Sequence, residues 1–231
     1  MNNLYTVGCS HTRYVWPTYA DILGQEFDNH YNWGQTGIGN FAIMNRALEI
    51  ADEMTEDDTL IIQWTYPARF DFHTSKEGWY RGGNLTNNHD VVQDTINKYA
   101  FDPDTYELLS SNYIKLTRTY LDSNHIDYRM VGSDYDVGDL PALNIAQEFD
   151  IPFYKFLNVR PNIKMIKKEF DHHYTPRHHL NYLYQTDFTI TKKMLQYVEQ
   201  AEKIIKDIHD WKWLQFRLED AGLTQRDTYG R

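Results

Sequence analysis

Apolar residues along this chain alternate between two rhythms. Leu4, Tyr5 and Val7 form a short apolar run that stops at Gly8, which predicts a buried strand over residues 4–7. Residues 16–27 change to helical spacing, with Tyr19, Ala20, Ile22 and Leu23 on one face and Pro17 in the first turn. A second strand is expected over 30–33, running into the glycine-rich Gly34-Gln35-Thr36-Gly37-Ile38-Gly39-Asn40. Ile43, Ala47, Ile50 and Met54 then mark a helix over 41–54. Thr59-Leu60-Ile61-Ile62-Gln63-Trp64 is a continuous β-rich run after an acidic turn, the clearest strand of the chain.

The second half repeats the alternation. Residues 70–88 are polar and aromatic, with Gly78, Gly82 and Gly83, and read as a long excursion, a lid or binding loop. A long helix follows over 104–124, capped by Asp102 or Asp104, then a strand over 127–131. A short helix is expected over 142–149 and a short strand over 151–154. Residues 163–170 lead into a histidine cluster, and Met194, Val198, Ala201 and Ile205 mark a helix over 189–208. The tail, 211–231, ends polar.

Strands alternating with helices imply an α/β sandwich around a mostly parallel sheet. Without an internal repeat or a Pro- or Ser-rich linker, residues 1–231 read as one domain, with an aromatic excursion at 70–90 and a helical C-terminal end. Ligands bind such sheets at the carboxyl ends of the strands. Residues 8–12, 34–40 and 65–69 each follow an expected strand, so all three fall on that edge.

Composition narrows the class. Hydrophobic content of 41% over 231 residues supports a packed core. The 18 Tyr and 6 Trp exceed what a core alone needs and suit a groove for carbohydrate or a partner surface. A formal charge of −10 argues against nucleic acid as a partner. The run Lys164, Lys167 and Lys168 reads as a solvated helix face. One cysteine, Cys9, allows no internal disulfide. The first seven residues lack a basic stretch and a long apolar stretch, so no signal peptide or membrane association is expected, and the expected location is cytoplasmic.

Two segments at opposite ends carry the candidate chemistry. Gly8-Cys9-Ser10-His11-Thr12 offers a serine at a strand-to-helix turn, where backbone N–H groups at a helix N-terminus would stabilise negative charge. Asp171-His172-His173-Tyr174-Thr175-Pro176-Arg177-His178-His179 offers an acid and an imidazole two residues apart. Together they could supply the nucleophile Ser10, the base His173 and the orienting carboxylate Asp171. Ser10 could equally be a helix cap. His172, His173, His178 and His179 with Asp171 could instead bind a metal, although their spacing matches no standard zinc motif. His172 and His178 read as ordinary packed or surface side chains. The loop order Gly-x-x-Gly-x-Gly does not match the dinucleotide fingerprint and no P-loop lysine follows, so no nucleotide cofactor is expected.

Taken in order, these segments resemble the SGNH (GDSL-like) hydrolase superfamily. Gly8-Cys9-Ser10-His11-Thr12 is similar to its first block, Asn32-Trp33-Gly34-Gln35-Thr36-Gly37 to its second, and Asp171-x-His173 with His179 to its last. The wider texture (Trp-Pro, Asn-Trp-Gly, Ile-Ile-Gln-Trp-Thr, Trp79 before Gly83-Asn84) also resembles a group of SGNH-like proteins from phages and marine bacteria. The resemblance implies a three-layer α/β/α sandwich with a mostly parallel, flavodoxin-like five-stranded sheet. It implies a serine esterase acting on a small-molecule or carbohydrate ester, such as an O-acetylated sugar, with no cofactor and no metal. It assigns the oxyanion hole to the amides of Ser10 and Gly37, helped by Asn40. Arg69, Trp79 and Tyr80 are the candidate substrate-binding residues, though Trp79 and Tyr80 suit a core patch equally well.

Two departures from the family pattern bear on activity. Cys9 stands where the first block has aspartate, and the stretch Gln63-Trp64-Thr65-Tyr66-Pro67-Ala68-Arg69 lacks the third block's asparagine donor, for which Asn40 and Arg69 are the candidate substitutes. A catalytically weak or inactive fold used as a phage structural or glycan-binding module is the alternative. Its partners would be further copies of this chain or virion proteins, and it would reside in a host cytoplasm or a virion.

Overall fold

The computed structural model describes residues 1–75, 78–84, 102–144, 155–156, 169–170, 173–208 and 210–224. Four parallel strands form its sheet: β1 (Asn3–Val7), β2 (Asn29–Asn32), β3 (Thr59–Trp64) and β6 (Asp127–Gly132), in the order β2-β1-β3-β6. Parallel strands need crossovers, and helices supply them: α1 (Tyr19–Leu23), α2 (Asn40–Ala51) and α3 (Pro103–Ser123). Between β3 and α3 lie β4 (Arg69–Thr74) and β5 (Gly78–Asn84), an antiparallel hairpin. Beyond β6, β7 (Lys155–Phe156) pairs antiparallel with β8 (Glu169–Phe170), and α4 (Pro176–Leu183), α5 (Lys192–Asp207) and α6 (Trp211–Asp220) follow.

The period of two along each strand sorts the core into two layers. Leu60, Ile62 and Trp64 of β3, Val7 of β1 and Met130 of β6 face Ile43, Ala47 and Ile50 of α2 and Leu121 of α3. Leu4, Ile61 and Val131 point the other way, into Tyr19, Ile22 and Leu23 of α1, Leu180 of α4 and Met194 and Val198 of α5. Helices therefore cover both faces, as the alternation of elements predicts. A fifth strand does not appear in this sheet among the described residues. The stretch expected to form it, 151–154, lies outside them, as does most of the short helix expected over 142–149. Leu143 instead forms a single parallel bridge to Ser133, just past the end of β6.

Several boundaries move for local reasons. The helix expected over 16–27 shrinks to α1 and a 3₁₀ turn, Gly24–Glu26, because Thr18 is its N-cap. Asp21 closes the capping box by accepting the Thr18 N–H at 2.9 Å, which places Pro17 one residue outside the helix. Residues 70–88 are not a simple loop, since their first part is the β4–β5 hairpin. The final helix starts at Lys192, capped by Thr191. Helix α4 begins with Thr175 as cap and Pro176 in its first turn, inside the segment read above only as a histidine cluster.

Ile61 is fully buried in the middle strand and touches the layer built by α1, α4 and α5. Replacing it with alanine is expected to cost about 2–5 kcal/mol. Urea unfolding midpoints of Ile61→Ala and the parent protein check this.

Candidate active site at the carboxyl edge of the sheet

Strand order reverses between β1 and β3, and in folds of this kind ligands bind where two such strands end. The chain leaving β1 folds at once into a single turn, with the Cys9 carbonyl accepting from the N–H groups of Thr12 (3.0 Å) and Arg13 (3.1 Å). Ser10 sits in this turn, 5% exposed. It is not at a helix N-terminus, because α1 starts only at Tyr19. The turn fits because Gly8 has no side chain: a Cβ there would lie 2.2 Å from Thr12 Oγ1 and 2.7 Å from Gln63 Cβ.

Gln63 holds this turn, and no sequence motif singled it out. It is fully buried near the end of β3. Its side-chain carbonyl accepts from the Cys9 N–H (3.0 Å), the Cys9 thiol (3.1 Å) and the Thr12 hydroxyl (3.2 Å). Its amide donates to Ser133 Oγ (2.5 Å) and to the Trp64 carbonyl (2.8 Å). The only sequence signal was a lone amide in an otherwise apolar strand. Burial raises the Cys9 thiol, but the Arg69 charge, the His11 N–H and contacts from Thr65 and Gln63 outweigh it and leave the thiol below its ordinary range.

Below the turn lies a second buried network. Asn32, at the end of β2, donates to the Thr12 carbonyl (2.8 Å) and to Asp21 (3.1 Å), while its own carbonyl accepts the Gly34 N–H (3.0 Å). The Thr18 hydroxyl donates to the Thr12 carbonyl (2.5 Å). Burial pushes Asp21 up to about 6, against the hydrogen bonds from Thr18 and Asn32 that favour its charged form.

The loop after β2 runs beside the serine turn. Its Trp33 N–H donates to the Thr6 carbonyl (2.7 Å) and its Gln35 N–H to the Gly8 carbonyl (2.9 Å). Gly37 has φ 84°, a conformation that favours glycine. Asn40 is committed elsewhere: its side-chain carbonyl accepts the Thr65 N–H (2.8 Å), and its amide donates to the Thr65 carbonyl (3.0 Å) and Ser110 Oγ (3.1 Å). It therefore clamps the loop after β3 and has no free amide hydrogen for a substrate oxygen.

The distant histidines arrive at the same place. His173 stacks on Tyr14, with ring centroids 3.7 Å apart, and lies 5.2 Å from the ring of His11, the neighbour of Ser10. His179 of α4 lies 6.2 Å from His11. Trp16 Nε1 fixes the approach by donating to the Tyr174 carbonyl at 2.7 Å. Burial holds His11 and His179 well below the ordinary imidazole range, and the neighbouring His173 ring adds to this. The Nδ1 atoms of both are buried without a hydrogen-bond partner among the described residues. His178 instead contacts its own cap, with Nδ1 2.7 Å from Thr175 Oγ1. Among the described residues no group of three His, Cys, Asp or Glu is placed to hold a metal ion.

The structure thus brings His173 to the loop that carries Ser10 and sets the Gly37 loop alongside. Arg69 donates from Nη1 to the Ile38 carbonyl at 2.9 Å, and its charge reaches Cys9 and His11. Trp79 packs edge-on against Phe41 (5.5 Å) and His73 (5.3 Å), half-buried against α2. Tyr80 pairs through its backbone with Phe72 in the hairpin. Asp171, His172, Lys164, Lys167, Lys168 and the side chain of Tyr80 lie outside the described residues.

No family model matches this chain, and no curated protein matches it. Among solved structures it is similar to a protein from Desulfitobacterium hafniense DCB-2 assigned to the G-D-S-L lipolytic family. That likeness has 16% identity, covers 64% of this chain and 67% of that one, and has a TM-score of 0.34.

Two outcomes follow from the buried network. Gly8→Ala forces a Cβ into Thr12 and Gln63, and is expected to lower stability by about 1–3 kcal/mol or more, read as a fall in melting temperature. Because folding raises the Asp21 pKa, the folded chain binds that proton more tightly than the unfolded chain. The stability this confers is full below about pH 4 and is lost as pH rises through about 6, a change on the order of 3 kcal/mol. Urea midpoints between pH 4.5 and 7.5 should therefore show a downward slope that is shallower in Asp21→Asn.

Proposed function

We propose that this chain is a serine esterase of the SGNH type. Ser10 attacks an acyl carbonyl, His173 takes its proton and returns it to the leaving alcohol, and Asp171 holds the tautomer of His173. The amides of Ser10 and Gly37 carry the charge that develops on the carbonyl oxygen. The observation that supports this best is His173 packed against His11 and Tyr14, on the turn that bears Ser10. Arg69, Trp79 and Tyr80 belong to the substrate side. The substrate class we favour is an O-acetylated carbohydrate, for which the aromatic hairpin would supply a stacking face.

The bound state of Asn40 favours a second reading. With its amide hydrogens given to Thr65 and Ser110, Asn40 does not supply the side-chain donor of the oxyanion hole. Loss of one such donor typically costs about a hundred- to a thousandfold in turnover. A slow enzyme, or a fold retained as a binding or virion module with further copies or particle proteins as partners, is consistent with that deficit. No helix among the described residues is long and apolar enough to cross a membrane.

Aryl acetate hydrolysis separates the two readings. The esterase reading expects measurable turnover, labelling of Ser10 by a fluorophosphonate, and a fall of at least about a thousandfold in kcat for Ser10→Ala and His173→Ala. No turnover and no labelling, with assembly unchanged in Ser10→Ala, would favour the module.

A further inference from the structure

Helix α2 starts with an unmet need. Its first turn presents backbone N–H groups with no partner inside the helix, and its N-cap is Gly39, which has no side chain to offer. The missing cap comes from the hairpin. Asp71 of β4 accepts the Gly39 N–H at 2.7 Å on one carboxylate oxygen and the Ala42 N–H at 3.2 Å on the other. Two residues earlier in the same strand, Arg69 donates to the Ile38 carbonyl at 2.9 Å. The hairpin thus supplies an acceptor for the N–H groups of this turn and a donor for its carbonyl.

The fit is close. A Cβ on Gly39 would lie 2.7 Å from Asp71 Oδ2 and 2.8 Å from Arg69 Cβ. Asp71 is itself buried, which makes its ionised form dependent on these contacts. The charged and titratable groups that face it are Arg69 on its own strand, Arg46 of α2 and Tyr113 of α3. The residues it grips stand between the two parts of the candidate site: Gly37 lies just before them, and Asn40, which clamps Thr65 after β3, lies within them.

We propose that Asp71 is a positioning residue. Through Asp71, and with Arg69 beside it, the β4–β5 hairpin sets the conformation of the Gly37–Asn40 turn and thereby aims the Gly37 amide at the serine turn. Asp71 acts through that turn and does not touch the reacting atoms. This role rests on the esterase reading given above.

Hydrogen–deuterium exchange over residues 35–45, with kcat and KM on an aryl acetate, tests the role in the full chain. Asp71→Ala should raise exchange in that segment by roughly fivefold or more, the value of a lost cap. It should lower kcat by about ten- to a hundredfold while leaving KM within about twofold, because the lost alignment matters to the transition state. Asp71→Asn keeps one acceptor and should fall between the two proteins, which also keeps the test open if the alanine variant does not fold. Unchanged exchange in Asp71→Ala, with an active wild-type protein, would overturn the positioning role and leave the esterase reading standing. Raised exchange and a lower melting temperature with unchanged kcat would reduce Asp71 to a structural cap and overturn the positioning role. No hydrolysis by the wild-type protein would overturn the esterase reading, and the positioning role with it.

Discussion

A buried amide cannot be left unsatisfied, and the carboxyl edge of this sheet is organised by that rule. Gln63 sits where an apolar residue would complete β3, so each of its polar atoms must find a partner inside the protein. It finds them on β1's turn, on the loop after β6 and on its own strand. One side chain thereby ties the ends of three neighbouring strands together. The serine turn is held from beneath by the side-chain carbonyl of Gln63, and Gly8 is the opening that lets the carbonyl in. Cys9 fits the same constraint. A carboxylate at Cys9 Sγ would face the Gln63 carbonyl oxygen across a gap that a thiol hydrogen now fills.

The same rule acts one layer down. Asn32 and Thr18 donate to the carbonyl of Thr12, and Asp21 in turn accepts from both of them, so the far end of the serine turn is held as well as its start. Asp21 pays for that order with its ionisation, since burial makes the charged form costly even with three donors around it. Rigid support for the Ser10 turn and a pH-dependent contribution to stability thus have one origin. A network this enclosed has few ways to relax when one member is removed.

How far the sequence revealed this depends on the kind of signal. Strand β3 is legible because a buried parallel strand is a nearly continuous apolar run, and helix α5 because its apolar residues recur at helical spacing. The edge of α1 was not, since Thr18 and Asp21 form a capping box that overrides the apolar pattern beginning at Trp16. The hairpin reads as a loop because its glycines and polar residues mask its pairing, and Asp71 carries no local mark of capping Gly39, 32 positions earlier. Ser10 and His173 were picked out by chemistry and motif. Gln63 was passed over because one polar residue in a strand looks like noise until its partners are known. Asn40 was taken as a donor to substrate, whereas its amide had already been claimed by Thr65 and Ser110, which sequence spacing does not disclose.

The imidazole cluster shows how burial can serve a base without titrating itself. His11 and His179 are sealed in, and both desolvation and the proximity of other rings hold them neutral. His173 therefore packs against the neutral ring of His11 and the face of Tyr14. On the esterase reading, the low exposure of His11 and His179 keeps further positive charge away from the proposed base. Among the described residues these three rings belong to no group placed to hold a metal ion, and the Nδ1 atoms of His11 and His179 are buried without a hydrogen-bond partner.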